Sequence, residues 1–205
     1  MSLFPMFVKL AGRHVVVVGG GEIAAGKIEA LVEAGAKVLV VSPELNSQLT
    51  ALVRESKIEW REKPFAPEDL QGAFLVIAAT SIPGVNESVY RAAELRGLLC
   101  NAVDDIQNCH FYYGAVVRRG DLQIAISTNG KSPALAQRLR KELEAQFGPE
   151  YESWIEWLGA AREVLRASGA PQGQNRGALH NLASRQMFHR FLREANREAP
   201  TKGAQ

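Results

Sequence analysis

A run of three glycines, residues 19–21, separates a β-branched segment from a segment with helical periodicity. Residues 14–18 contain four valines, which is typical of a buried strand, and a second apolar strand is predicted at residues 37–41. The predicted helix between them has one face formed by Ile23, Lys27, Leu31 and Ala34. Strand, glycine turn, helix and strand within about 30 residues predict a right-handed parallel βαβ unit.

The same alternation of strands and helices continues to residue 103. Further strands are predicted at residues 58–63, 74–79 and 98–103, and further helices at residues 44–56 and 85–96. Apart from residues 58–63, the strands are almost continuously apolar, as expected when helices cover both faces of a sheet. The sequence therefore predicts the α/β class, with a parallel sheet.

After residue 104 the pattern changes. Two β-branched runs at residues 111–117 and 122–127 flank a turn with Gly120, which predicts an antiparallel hairpin. Ser132 followed by proline predicts a helix start, and apolar residues then recur every fourth position. Two more helices are predicted at residues 151–168 and 178–198, joined by a glycine-, proline- and glutamine-rich connection.

The glycine turn has the spacing of a dinucleotide-binding loop. Gly19, Gly21 and Ala24 match the pattern GxGxxA between a strand and a helix. Gly19 allows the tight turn, Gly21 allows a phosphate to approach, and Ala24 allows the helix to pack closely on the strand. The pattern predicts a Rossmann-like fold that binds a nucleotide cofactor.

The segment after the second strand favours NAD over NADP. The acidic residue that usually holds the ribose hydroxyls is absent, and Ser42, Pro43 and Glu44 occupy this place. Ser42 can donate to a ribose oxygen, and no arginine is present to bind a 2′-phosphate. Thr80, which follows the strand at residues 74–79, either contacts a ligand or only stabilises the turn.

Two further polar segments are candidates for chemistry. Asp104 and Asp105 follow the strand at residues 98–103, where a carboxylate beside the nicotinamide could accept a proton; the alternative is a solvated turn or a helix cap. Residues 127–133 form a polar loop that enters a helix, so its amides and Lys131 could bind an anion. An ordinary capped loop explains that spacing equally well.

The distribution of charge and the few cysteines and histidines argue against several classes of protein and site. A net charge of +2 argues against nucleic-acid binding, although residues 1–112 carry −3 and residues 113–205 carry +5, so an anion would prefer the second half. Two cysteines, Cys100 and Cys109, provide neither a disulfide framework nor a zinc site. His180 and His189 lie on opposite faces of one predicted helix, so no metal site is expected.

The sequence carries no signal for export or for a membrane. The N-terminal residues lack a basic region followed by a long apolar stretch, and no run approaches the roughly 18 apolar residues of a membrane span. We therefore expect a cytoplasmic protein with no membrane partner.

Several separated segments together resemble the precorrin-2 dehydrogenase and sirohydrochlorin ferrochelatase family of siroheme synthesis. The resemblance covers residues 4–195 and lies in the order and spacing of short motifs. These are Pro5-Met6-Phe7, the glycine turn with Ala24 and Lys27, residues 75–80 with Asn86, Asn101-Ala102-Val103-Asp104 with Phe111, residues 126–133 with Ala136, Leu139 and Arg140, and Arg185-Gln186-Met187-Phe188.

The resemblance implies an arrangement of three regions. Residues 1–112 would bind NAD, residues 113–148 would exchange contacts between the subunits of a homodimer, and residues 149–205 would form a small helical region. The resemblance implies a stand-alone form, since nothing similar to the methyltransferase domain of the fused siroheme synthases follows.

Roles for individual residues also follow from the resemblance. It places the cofactor against Glu22-Ile23 and Pro43-Glu44 and makes Asp104 the main catalytic residue. It places residues 127–132 beside the tetrapyrrole; family members can carry a phosphorylated serine there, and Thr128 is the matching residue. The missing acidic residue after the second strand is usual in this family.

The implied reaction fits the residues. Oxidation of precorrin-2, an octacarboxylate, to sirohydrochlorin transfers a hydride to NAD+ and releases a proton, which Asp104 would accept unless it guides Fe²⁺ into the ring. With Thr128 and Ser132, the candidates for the substrate carboxylates are Arg118, Arg119, Lys131, Arg138 and Lys141. Whether the protein also inserts iron stays open.

Two other classes of protein remain as alternatives. An NAD-sensing Rossmann regulatory module would bind the cofactor without catalysis, but it normally keeps the acidic residue after the second strand. A dehydrogenase for a small metabolite would usually bring a catalytic His, Lys or Tyr constellation, which the sequence does not show.

Overall fold

A five-stranded parallel sheet organises the first of two compact units, Phe4–Tyr113. The computed structural model describes residues 3–169 and 171–198. The strands are β1 (His14–Val18), β2 (Lys37–Ser42), β3 (Ile58–Glu62), β4 (Leu75–Ala78) and β5 (Leu99–Ala102). Their order is β3-β2-β1-β4-β5, and every neighbouring pair is parallel. The predicted α/β class and Rossmann-like sheet are confirmed.

Helices cover both faces of this sheet. They are α1 (Glu22–Glu33), α2 (Ser47–Arg54) and α3 (Pro83–Glu94). Successive strand side chains point to opposite faces, so Val15 and Val17 of β1 enter one apolar cluster while Val16 and Val18 enter the other. All four valines are at most 2% exposed, which explains why the sequence of β1 is a continuous run of apolar residues.

The apolar face predicted for α1 is largely wrong. The residues of α1 that are buried are Ala24, Ala25, Ile28 and Leu31. Ile23 is instead 50% exposed, and Lys27 is half-buried. Two of the four buried residues are alanines, because α1 packs closely on the sheet, and a pattern of large apolar residues does not detect them.

A buried carboxylate, Asp69, joins two segments of this unit. Arg61 Nη1 and Lys63 Nζ of the β3 region donate to it at 3.0 and 2.7 Å, and the amide of Ala66 donates at 2.9 Å. Burial would raise the pKa of Asp69, but these hydrogen bonds and the Lys63 charge outweigh it and lower the pKa. The charged form of Asp69 therefore stabilises the fold.

We expect Asp69→Asn to lower the free energy of unfolding by about 1–3 kcal/mol at neutral pH. A carboxyl whose pKa is lowered on folding contributes stability above its unfolded value of about 4 and loses it as the pH falls further. Urea unfolding at neutral pH and at about pH 3 checks this. The gap between variant and wild type should shrink in acid, and an unchanged gap would contradict the role of the charge.

The second unit begins at Gly114 with an antiparallel hairpin. Its strands, β6 (Ala115–Arg119) and β7 (Leu122–Ile126), are joined through Gly120, whose φ of 54° suits glycine. Four helices follow: α4 (Pro133–Gln146), α5 (Glu150–Ala167), α6 (Gln172–Leu182) and α7 (Arg185–Glu198). The Ser132 hydroxyl accepts from the Leu135 amide and caps α4, as its sequence predicts.

Two predicted element boundaries in this half are wrong. The helix predicted at residues 178–198 is two helices, because α6 ends at Leu182 and the Ser184 hydroxyl accepts from the Met187 amide to start α7. Most of the connection predicted at residues 169–177 belongs to α6. The hairpin starts at Ala115 rather than at residue 111, because the Asn101 side chain donates to the carbonyl of Phe111 and holds that segment on β5.

Aromatic side chains join α5 to α7 in this unit. The Trp154 and Trp157 rings stack at 5.1 Å, and Phe188 and Phe191 lie 5.5 and 5.1 Å from Trp154. Trp154 is 5% exposed, so this cluster forms the local core. None of the helices that the structure describes is long and apolar enough to cross a membrane.

Candidate functional site

The carboxyl ends of four parallel strands meet at one edge of the sheet. The segments that start there contain Gly19 after β1, Ser42 at the end of β2, Thr80 after β4 and Asp104 after β5. The strand order reverses between β1 and β4, which are neighbours in the sheet. Open α/β sheets bind ligands at this kind of reversal point, so the predicted cofactor and catalytic residues of the first unit share one edge.

The glycine turn shows why side chains are excluded from it. Gly19 has a φ of 124°, and a Cβ there would overlap the carbonyl oxygen of Ala79. A Cβ on Gly20 would overlap the carbonyl oxygen of Glu44, a packing role that the sequence motif did not identify. A Cβ on Gly21 would meet nothing within 4 Å. Two glycines therefore build the turn, and Gly21 leaves open space beside it.

The N-terminus of α1 lies at this open space. Gly21 is its N-cap, and no side chain caps the helix. Glu22 in the first turn accepts a hydrogen bond from Asn46 Nδ2 at 3.0 Å, while Ile23 is half exposed and Ala24 fully buried. Free first-turn amides and the positive end of the helix dipole suit a pyrophosphate, so this turn fits a dinucleotide.

The loop after β2 is shaped by Ser42. This serine is only 8% exposed, and its hydroxyl donates to the carbonyl of Glu44 at 2.7 Å. Trp60 Nε1 donates to the Ser42 carbonyl at 3.0 Å. The predicted donation from the Ser42 hydroxyl to a ribose is therefore not available here, since its proton is already used. Pro43 and Glu44 are exposed at the edge.

Thr80 is held by Asn86, a buried residue of α3. The Thr80 amide and hydroxyl both donate to Asn86 Oδ1, at 3.1 and 2.8 Å, and Asn86 Nδ2 donates back to the Thr80 carbonyl at 3.0 Å. These bonds show the turn chemistry expected of Thr80, and its contact with a ligand stays a prediction. Asn86 is 5% exposed, and an asparagine on the buried face of a helix is the sequence signal for this role.

The two aspartates after β5 have different environments. The Asp105 carboxylate accepts from the amides of Gln107 and Asn108 and from Asn108 Nδ2, so it caps a short helical turn. Asp104 is exposed, and the described part of the chain forms no hydrogen bond to its carboxylate. Its φ of 61° is in the left-handed region, which aspartate tolerates better than most residues. Of these two aspartates, Asp104 is therefore the one whose carboxylate is exposed and not bonded to the turn.

Burial favours the uncharged thiol form of both cysteines near Asp104. Burial raises the pKa of Cys100 to about 12, and burial is also the main cause of the raised pKa of Cys109. His110 Nδ1 accepts from the Cys100 amide at 3.1 Å, and the ring of His110 stacks on Tyr90 at 4.9 Å. These residues have structural roles.

No cluster of three potential metal ligands occurs within residues 3–169 and 171–198. His180 and His189 lie on α6 and α7, so their predicted placement on one helix is wrong. The small residues Ala183 and Ser184 separate these helices.

In the second unit, the loop between β7 and α4 contains three of the predicted substrate residues. Thr128 Oγ1 accepts from the Ser132 amide at 3.1 Å, and the Lys131 amide donates to the Thr128 carbonyl at 3.0 Å. Lys131 is exposed. The loop thus presents one free cation beside the capped start of α4.

The predicted basic residues do not all gather at this loop. Arg118 pairs with Gln123 near the turn of the hairpin, away from the end of β7 that leads into the loop. Arg138 is exposed and paired with Glu142 at 3.3 Å, and Lys141 is exposed on α4. Arg119 donates to the carbonyls of Phe147 and Glu144 at 2.8 and 3.1 Å, so it ties β6 to the end of α4 and is not a free substrate contact.

Family models match both units. An NAD(P)-binding family matches residues 6–115, and the central domain of sirohaem biosynthesis proteins matches residues 119–146. Relatives named siroheme synthase are 42% identical over 82% of this chain in Neisseria meningitidis serogroup C and 38% identical over 93% of it in Actinobacillus pleuropneumoniae. The chain spans 35% and 39% of the length of these relatives.

A solved structure shows the same fold. SirC, described as a precorrin-2 dehydrogenase, aligns with a TM-score of 0.79 and 24% identity over 95% of this chain and 100% of its own. The dinucleotide cofactor predicted from the glycine turn agrees with the matched NAD(P)-binding family. The chain therefore belongs to this NAD(P)-binding family, and the predicted resemblance to the precorrin-2 dehydrogenase and sirohydrochlorin ferrochelatase family is confirmed.

Proposed function

We propose that this protein oxidises precorrin-2 to sirohydrochlorin with NAD+ as hydride acceptor. The observation that carries the proposal is the edge of the parallel sheet, where an open dinucleotide turn occurs together with the exposed carboxylate of Asp104, to which the described residues form no hydrogen bond. The family of the chain supplies the substrate class, since its relatives are named siroheme synthases.

The first unit provides the cofactor residues in this proposal. They are Gly19, Gly21, Glu22, Ile23, Ser42, Pro43, Glu44 and Thr80. The amides at the start of α1 bind the pyrophosphate, and Ser42 and Thr80 shape the loops around it. Glu44 brings a negative charge to this edge and no arginine accompanies it, which favours NAD over NADP.

Asp104 performs the proton transfer. Precorrin-2 loses a hydride to NAD+ and a proton to a base, and an exposed carboxylate at the sheet edge suits that base. Bound NAD+ supplies the acceptor for the hydride. Asp105 does not take this role, because its oxygens are already bonded to the turn that follows.

The second unit binds the carboxylates of the substrate. Lys131 is the exposed cation of the loop before α4, and Thr128 and Ser132 fix the shape of that loop. Arg118 and Arg138 are further exposed cations of this half, which carries the net positive charge.

The division into regions stays a prediction, with cofactor binding in residues 1–112, dimerisation in residues 113–148 and a third region in residues 149–205. The helices α4 and α5 pack on the β6–β7 ribbon, but both of its strands are edge strands within the described residues, and an unpaired strand edge can pair with another chain. That supports a homodimer in which a second copy covers the ribbon, and we place this dimer in the cytoplasm.

Anaerobic incubation with precorrin-2 and either NAD+ or NADP+, followed by Fe²⁺ or Co²⁺, tests the function. We expect NADH and the absorbance of sirohydrochlorin, with a much weaker response to NADP+. A metallated product after the second addition would show that the same protein inserts iron, as a substrate. Cofactor binding without any reduced nicotinamide would favour the NAD-sensing module instead.

A further inference from the structure

Asn46 links the loop after β2 to the glycine turn after β1. Its backbone amide donates to the Gly20 carbonyl at 2.8 Å, so the two loops are bonded directly. They also touch at Gly20 itself, where a Cβ would overlap the carbonyl oxygen of Glu44. The proposed function gives Asn46 no role, although this residue joins two segments that carry the proposed cofactor residues.

The side chain of Asn46 is fixed in one orientation. Asn46 is the N-cap of α2, and its Oδ1 accepts from the Leu49 amide at 2.9 Å. An asparagine side chain has one oxygen and one NH2 group, so the use of the oxygen for the cap leaves Nδ2 to face another group. Leu49 is fully buried in the core of the sheet, which anchors the capped turn. Asn46 therefore presents a hydrogen-bond donor at a fixed position.

The group that Nδ2 meets is Glu22, in the first turn of α1. The distance from Asn46 Nδ2 to Glu22 Oε1 is 3.0 Å, and an amide that donates to a carboxylate forms a charge-assisted hydrogen bond. A similar contact occurs further along α1, where Gln48 Nε2 donates to Glu29. Both pairs join an amide side chain from the α2 segment to a carboxylate of α1, and the Asn46 pair lies at the N-terminus of α1.

Glu22 needs a partner of this kind because its carboxylate would compete with a pyrophosphate. The positive end of a helix dipole attracts an acidic side chain of the first turn, and the same end would bind the pyrophosphate of NAD+. Among the described residues, the Glu22 carboxylate accepts from Asn46 and from none of the first-turn amides of α1. Asn46 thereby draws the carboxylate towards the loop after β2 and leaves the amides for the cofactor.

We propose that Asn46 is a positioning residue for NAD+, because it holds the Glu22 carboxylate against the loop after β2 and keeps the start of α1 open for the pyrophosphate. This inference rests on the cofactor site of the proposed function. Asn46 acts through Glu22 and takes no part in the transfer of hydride or proton. Its effect is on the affinity for NAD+, with or without substrate.

Asn46→Asp tests this role in the full-length protein. Aspartate caps a helix as well as asparagine does, so the melting temperature without NAD+ should stay close to that of the wild type. The variant loses the donor to Glu22 and brings a second carboxylate beside it. By calorimetric titration at low ionic strength we expect roughly three- to tenfold weaker binding of NAD+. The difference from the wild type should shrink at high salt, because the repulsion is screened.

A second change reverses the direction of the hydrogen bond. In the double variant Asn46→Asp with Glu22→Gln, the new glutamine amide can donate to the new carboxylate, and the pair keeps its total charge. We expect this variant to recover the affinity for NAD+. Gln48→Glu is the matched control, because it makes the same change from amide to acid opposite Glu29, about two helical turns along α1 from Glu22. It should bind NAD+ as tightly as the wild type.

The outcomes separate this inference from the proposed function. Wild-type affinity in Asn46→Asp, an equal loss in Gln48→Glu, or no recovery in the double variant would overturn the role of Asn46 and leave precorrin-2 oxidation intact. The expected order of NAD+ affinities without any NADH from precorrin-2 would instead overturn the proposed function. A wild-type protein that does not bind NAD+ would overturn both.

Discussion

Asp104→Asn should lower the rate of NADH formation from precorrin-2 by about 10²–10⁴-fold while the affinity for NAD+ stays the same. Asparagine matches aspartate in shape and also tolerates the left-handed backbone at this position, so the turn is preserved. It cannot take up the proton that oxidation releases. Stopped-flow absorbance of NADH gives the rate, and titration of the protein with NAD+ gives the affinity.

The neighbouring aspartate provides a matched control for this variant. Asp105→Asn keeps an oxygen that can accept from the amides of Gln107 and Asn108, and asparagine caps a helical turn as well as aspartate does, so this variant should keep both its melting temperature and its turnover. Full turnover in Asp104→Asn together with a loss in Asp105→Asn would reverse the assignment of the two carboxylates.

The second large effect is expected at the glycine turn. Gly19→Ala should lower both stability and cofactor binding, whereas Gly21→Ala should lower cofactor binding alone. A Cβ at Gly19 would overlap the carbonyl of Ala79, in a backbone conformation that alanine rarely adopts. We expect a loss of roughly 3 kcal/mol or more in the free energy of unfolding, which lowers Tm by roughly 6–12 °C. Gly19→Ala should therefore lose stability and cofactor binding together.

Gly21→Ala meets no neighbouring atom, so its free energy of unfolding should change by about 1 kcal/mol or less. The added methyl group occupies the space that the pyrophosphate needs, and NAD+ affinity should fall about tenfold or more. Thermal unfolding with and without NAD+ measures both effects for each variant. Equal affinity for NAD+ in Gly21→Ala and the wild type would place the cofactor elsewhere.

Much of the first unit could be predicted from its sequence because its strands have a strong local signal. The valines of β1 are buried on both faces, and the glycine turn that follows leaves few alternatives to a βαβ unit. The break between α6 and α7 could not be predicted. It depends on the single hydroxyl of Ser184 capping a helix within a segment whose polar and apolar residues also suit one continuous helix.

The sequence predicts which loops form the candidate site, but it does not predict the hydrogen bonds of the individual side chains in them. Its loops follow from where the strands end, but Asp104 and Asp105 are chemically identical in sequence. They differ only through the backbone, which turns one carboxylate onto nearby amides and leaves the other exposed. Ser42 was expected to donate to a ribose, and the carbonyl of Glu44 takes that proton because the loop folds back.

The most direct test of the account is the amount of NADH formed against the amount of sirohydrochlorin formed, measured anaerobically with purified protein, precorrin-2 and NAD+. The proposed reaction transfers one hydride for each macrocycle oxidised, so the two products should appear in equal amounts and at the same rate. Sirohydrochlorin without NADH, or bound NAD+ that is never reduced, would contradict it.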